Sequence, residues 1–151
     1  LIRRPSDDML GTGPDAVCVS CHEPGSAGFV AAQQMRASIE RTKAAVAAAK
    51  VTVSQAGQLG MDISEAEYEL GEATAKLTQA RTYVHSFSPD AVEPIAQEGV
   101  RRADQAEGQG RHAIREFRFR RQGFWIALGI LGVIIAALML LVRELERSKR
   151  E

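Results

Sequence analysis

Cysteine and histidine are scarce in this chain: two of the first and three of the second among 151 residues. Both cysteines lie within one five-residue stretch, where a plain disulfide between them is the lesser reading. A structural zinc site wants four N or S donors, commonly with a second pair at finger-like spacing. His85 and His112 stand alone and far apart instead. Aromatic residues make up 5% of the chain, too few for a bulky globular core, while alanine abounds and points to closely packed helices. Net charge is absent too, with 19 basic and 19 acidic residues of both signs mixed along the middle. That argues against a nucleic-acid binder, which would show a basic face. Nothing reads as a strand, so the βαβ setting of a thioredoxin-like C-x-x-C is missing. The first residue is Leu, not Met, and residues 1–17 hold no apolar run of the signal-peptide kind. The chain is therefore expected to be a processed product or part of a longer polypeptide.

What cysteine there is lies in one place, Cys18-Val19-Ser20-Cys21-His22. C-x-x-C-H is the attachment sequence for a c-type haem. Two thiols a short loop apart can add to the two vinyl groups on one edge of a porphyrin. The histidine that follows is then held under the iron and supplies the proximal nitrogen. The motif sits in residues 1–26, a segment punctuated by Pro5, Gly11, Gly13, Pro14, Pro24 and Gly25 and read as a haem-attachment loop.

From there the pattern is helical. Ala32, Ile39, Val46 and Val53 recur every seven residues, with Met35, Thr42, Ala49 and Ala56 between them. This predicts a helix over about 27–55, ended by Gly57 and Gly60. Ser64-Glu65-Ala66-Glu67 reads as a capping box opening a second helix, with Ile63 and Tyr68 placed for a hydrophobic staple. Ile63, Leu70, Leu77 and Val84 form one row of that helix, and Ala66, Ala73 and Ala80 the other. Large residues facing small ones predict an antiparallel hairpin over 27–87. Ser88-Pro89 breaks it. A third helix follows, with Pro94 in an early turn. Its seam of Val92, Ala96, Gly99, Ala103, Ala106, Gly110, Ala113 and Phe117 is expected to lie against the hairpin or a partner. Gly108 and Gly110 are expected to weaken it and allow a bend.

Residues 123–142 are apolar and uncharged. At ~1.5 Å per residue they cover about 30 Å, the thickness of a bilayer core. Phe124 and Trp125 mark one interface, with Arg118, Arg120 and Arg121 just outside it. The expected fold is all-α. It comprises the loop over 1–26, an extracytoplasmic hairpin and stalk over 27–122, a transmembrane helix over 123–142 and a charged cytoplasmic tail over 143–151. Basic residues flank the span about equally, so charge does not orient it. Covalent haem attachment takes place outside the cytoplasm, which puts the N-terminal region in the periplasm and the anchor in the cytoplasmic membrane.

A low-spin haem needs a sixth ligand, usually His or Met. An antiparallel hairpin returns the end of its second helix to the haem end, which favours His85. Met9 and Met35 remain open. Met61 lies at the hairpin tip, Met139 in the span, and His112 about 33 Å along the third helix at ~1.5 Å per residue.

The order of these features resembles the C-terminal portion of membrane-anchored multihaem c-type cytochromes of the cytochrome c3 family. The resemblance rests on Cys18-x-x-Cys21-His22, the alanine-rich helical pair and Val84-His85-Ser86-Phe87-Ser88-Pro89. Phe117-Arg118-Phe119-Arg120-Arg121 before a single C-terminal span adds to it. It implies bis-histidine ligation, with His22 and His85 as the matching positions. This chain departs from the family in holding a single C-x-x-C-H.

The expectation is an electron carrier and not an enzyme, with one covalent haem c. Its partners would be other redox proteins or subunits of a respiratory or photosynthetic membrane complex, together with membrane lipid. With a straight third helix the haem would stand about 50 Å above the bilayer at ~1.5 Å per residue, too far to oxidise quinol directly. The alternative is a structural single-span coiled-coil subunit with an accessory haem.

Overall fold

A computed structural model describes residues 6–149. Residues 1–5 of the expected loop and 150–151 of the expected tail lie outside them. The described residues form three α-helices and three short 3₁₀ turns, with no strand among them. The helices are α1 (Ala27–Gln58), α2 (Ser64–Tyr83) and α3 (Pro89–Ser148). Two compact units divide the chain, one ending at Ala113 and the other beginning at Ile114.

The first unit is built on the two heptad stripes. Ala32, Met35, Ile39, Thr42, Ala49, Val53 and Ala56 are all buried on α1, and Val46 is half-buried. On α2 the small row of Ala66, Ala73 and Ala80 is buried together with Leu77. The seam of α3 packs on the hairpin: Val92, Ala96, Ala103, Ala106 and Ala113 are buried. Small residues allow this closeness. A Cβ placed on Gly99 would meet Thr42 Cγ2 at 2.7 Å and Lys76 Cβ at 3.2 Å, so α3 touches both hairpin helices there. Beside it the buried Thr42 hydroxyl donates to Ser38 O of its own helix (2.9 Å) and to Ala96 O of α3 (3.1 Å). Polar ties complete the contact. Arg102 on α3 pairs with Glu69 on α2 at 2.8 Å, and Glu93 on α3 takes Arg41 of α1 at 2.8 Å and the Ser38 hydroxyl.

The helix ends differ in detail from expectation. Gly57 stays inside α1, where Ile63 packs on it; the chain leaves the helix at Gly60, with φ +73°. Met61 N–H donates to Ala56 O and Gly60 N–H to Gly57 O, the paired bonds of a glycine-terminated helix. The capping box does not form. Ser64 is the first residue of α2, and its N–H and hydroxyl both donate to Asp62 Oδ1, at 3.0 and 2.7 Å. A carboxylate two residues upstream reaches both donors without strain, so Asp62 takes the role expected of Ser64. Tyr68 is exposed and makes no staple, while Ile63 joins the core of Ala49, Val53 and Ala73. Pro89 opens α3 at its first position, where a missing N–H is harmless. The helix is unbroken at Gly108 and Gly110, and Gly110 serves as a close approach to Thr52 and Val53 of α1.

The second unit is helical from Ile114. Every residue from Arg118 to Arg143 is exposed within the chain. α3 is thus long and apolar enough to cross a membrane, and none of its apolar window is buried by protein, as a core helix of that length would be. Phe124 and Trp125 meet edge to face, with ring centroids 5.9 Å apart.

Candidate haem-attachment site

The C-x-x-C-H motif folds as one tight turn. Cys18 O accepts from Cys21 N–H at 3.3 Å and from His22 N–H at 3.0 Å. This mixed 3₁₀ and α turn puts residues i, i+3 and i+4 on one side, so Cys18, Cys21 and His22 face the same way. The Ser20 hydroxyl donates to Val17 O at 2.6 Å and closes the turn. The two cysteines are not bonded to each other; Cys18 is half-buried and Cys21 exposed.

Directly after His22 the chain reverses. Ser26 N–H donates to Glu23 O at 3.0 Å around Pro24 and Gly25, and Gly25 has φ +86°. Pro then Gly at the two central positions is the signature of a type II turn. Ser26 next caps α1, its hydroxyl accepting from Phe29 N–H at 3.4 Å. The first turn of α1 therefore passes beneath the motif, and the His22 ring rests against Gly28.

Cys18, Cys21, His22 and Gly28 line one cavity of about 440 Å³. Leu10 and Val17 close it on the N-terminal side, Ala31, Ala32 and Met35 on the α1 side, and Phe87 completes the wall. Its volume falls in the range of small-molecule and cofactor sites, about 300–1,000 Å³. Among the described residues no carboxylate, lysine or arginine lies on the wall. Phe87 is held by a backbone in the left-handed region, φ 54°, at the corner between α2 and α3.

Ion pairs hook the N-terminal segment to the hairpin. The Asp7 carboxylate accepts from Arg81 of α2 at 2.8 and 2.6 Å, with Lys43 of α1 at 3.6 Å. Arg36 of α1 pairs with Asp8 at 2.9 Å and donates to the carbonyls of Asp7 and Leu10. The Arg81 hydrogen bonds hold the Asp7 carboxyl below its ordinary pKa, against a partial opposing effect of burial. The same contacts raise Arg81, and the Asp8 contact raises Arg36. Leu10, fixed by Arg36, thereby becomes a wall of the cavity.

The candidate ligands separate clearly. Cys18, Cys21 and His22 come together on the cavity. His85 lies in the turn Val84–Ser86 at the end of α2, exposed and off the cavity wall. Its neighbours are closer in: Val84 packs against Met35, Ala80 and Val92, and Phe87 reaches the wall. Met35 lines the cavity from α1, Met9 does not, and His112 is exposed on α3. Sequence reasoning missed Gly28, Phe87 and the Asp7 hook. Pro24-Gly25-Ser26 just after the motif was the one local sign that the chain doubles back under His22.

The residues suit a haem c better than a metal ion alone. Among the described residues no group of three or more His, Cys, Asp or Glu converges as a metal site. Haem attachment asks for no such convergence, because its two sulfurs bond porphyrin carbon and only the imidazole meets iron. No family model, no curated protein and no solved structure matches the chain.

Proposed function

We propose that the chain is a membrane-anchored c-type cytochrome that carries electrons through one covalent haem, within or next to a respiratory or photosynthetic membrane complex. One observation carries the reading: both thiols and the imidazole of C-x-x-C-H open onto a single apolar cavity beside the first turn of α1. When bound, haem supplies a one-electron Fe(III)/Fe(II) couple. The Cys18 and Cys21 thiols would hold it as thioethers, each S–H adding across a vinyl group. His22 would supply the proximal nitrogen. The apolar wall of Leu10, Val17, Ala31 and Ala32 would exclude water.

His85 is the proposed distal ligand. α2 returns to the cavity end of the hairpin, and Val84 shares a packing cluster with Met35, which lines the cavity. Met35 is the second reading, because its own side chain stands on the wall. The apolar stretch of α3 would be a single span of the cytoplasmic membrane, with the N-terminal unit in the periplasm. Electron donors and acceptors would then be other redox proteins or subunits there.

The full chain should show a c-type reduced-minus-oxidised spectrum, a pyridine haemochrome, and the mass of one covalent haem after denaturation. Colourless protein with both thiols open to alkylation overturns the reading. His85→Ala should convert the low-spin spectrum to high-spin, whereas Met35→Leu should do so if Met35 is the ligand.

A further inference from the structure

We infer that Gly28 is a positioning residue for the proximal ligand: its bare Cα is the floor on which the His22 imidazole lies, and any side chain there would turn the ring away. The inference rests on the haem reading above and adds a residue to that site. A Cβ built on Gly28 would stand 2.5 Å from both Cε1 and Nδ1 of His22 and 2.9 Å from Nε2. Real Cβ atoms essentially never come that close. Near-equal distances to three ring atoms put that point over the face of the imidazole. A point in the ring plane beyond the Cε1–Nδ1 edge would lie much farther from Nε2. The face of the ring is therefore covered by backbone, and Gly28 leaves uncovered the edge that carries both nitrogens.

The floor is rigid from both sides. Ser26 caps the helix turn that contains Gly28. His22 is held at the end of the Cys18 turn by its own N–H. Retreat of either backbone would break one of these hydrogen bonds, whereas the imidazole can turn about its own side-chain torsions, so an added methyl rotates the ring. Helix propensity pulls the other way, because alanine inside a helix is more favourable than glycine. A purely helical role for position 28 thus predicts a more stable protein with an unchanged haem, and a positioning role predicts a disturbed iron ligand.

The experiment compares full-length Gly28→Ala with wild type and with Gly71→Ala, whose Cβ would meet nothing within 4 Å. Gly28→Ala should keep covalent haem by mass, because the thiols are untouched. It should lose most of the low-spin EPR signal and shift its midpoint potential, and free imidazole should restore the low-spin state. Gly71→Ala should leave all of these at wild-type values. Should Gly28→Ala fold poorly, thermal unfolding decides. In a His22→Ala background the same change should raise Tm, and with His22 present it should lower it. Wild type with haem whose EPR signal, potential and Tm order ignore the Gly28→Ala methyl overturns this inference alone. Wild type without covalent haem overturns the functional reading together with it.

Discussion

The hairpin and the segment before it are held by different forces. α1 and α2 bury a repeating stripe, with Ile39, Ala49, Ala73 and Ala80 all at or below 1% exposure. In residues 6–26, by contrast, Ala16 is the one buried apolar residue, and the segment is fastened by Asp7, Asp8 and two arginines on the helices. Burial of a stripe is non-directional and spread over many contacts. A hook of charged groups depends on a few atoms and on their protonation. The motif that would carry the haem thus sits on the less redundant of the two regions.

Four measurements would sharpen or break that contrast. The largest effect is expected from Ile39→Ala, at about 2–5 kcal/mol by denaturant unfolding, because the side chain is enclosed and leaves a cavity. A loss under about 1 kcal/mol would mean the stripe is not the main support. Arg81→Ala should cost less, about 1–2 kcal/mol, since the pair is partly exposed. Its effect should be local, with faster amide exchange in residues 6–22 and little change in α1 and α2. Equal loosening of the helices would erase the distinction.

Acid should act in the same way. The folded-state pKa of Asp7 is depressed from 3.8, so its contribution is present above that value and is lost as pH falls through the lower one. Glu93 responds in the same direction, chiefly through its hydrogen bond from Ser38. Exchange measured from pH 5 downward should therefore show residues 6–22 opening below about pH 4, before the apolar stripe gives way. The smallest effect separates two caps. Asp62→Ala should lower Tm and fray the first turn of α2 more than Ser64→Ala does, because the Asp62 carboxylate is the acceptor for both Ser64 donors. The reverse order would restore the serine cap.

The same contrast explains what could be read in advance. The three-helix arrangement and the buried rows follow from spacing, which depends on neighbours three and four positions apart, and the apolar stretch of α3 follows from the length of an uncharged run. The rows were legible down to single residues such as Thr42 and Ala73. The cap was misassigned because Asp62 and Ser64 are both good acceptors, and only geometry decides between them. The hook was illegible because Asp7 and Arg81 lie 74 positions apart and no periodicity links them. Gly28 carries no signal in the pattern, since its meaning arises only when the Pro24-Gly25 turn folds the chain under His22. The motif Cys18-x-x-Cys21-His22 was visible at once, and the cavity it faces was not.

Phe87 carries a further consequence. An L residue with a bulky ring is uncomfortable at φ 54°, by about 1–2 kcal/mol. That cost comes from the Cβ, so Phe87→Gly should ease the bend between α2 and α3 while stripping a panel from the cavity. Folding stability and cofactor retention would then move in opposite directions at one position.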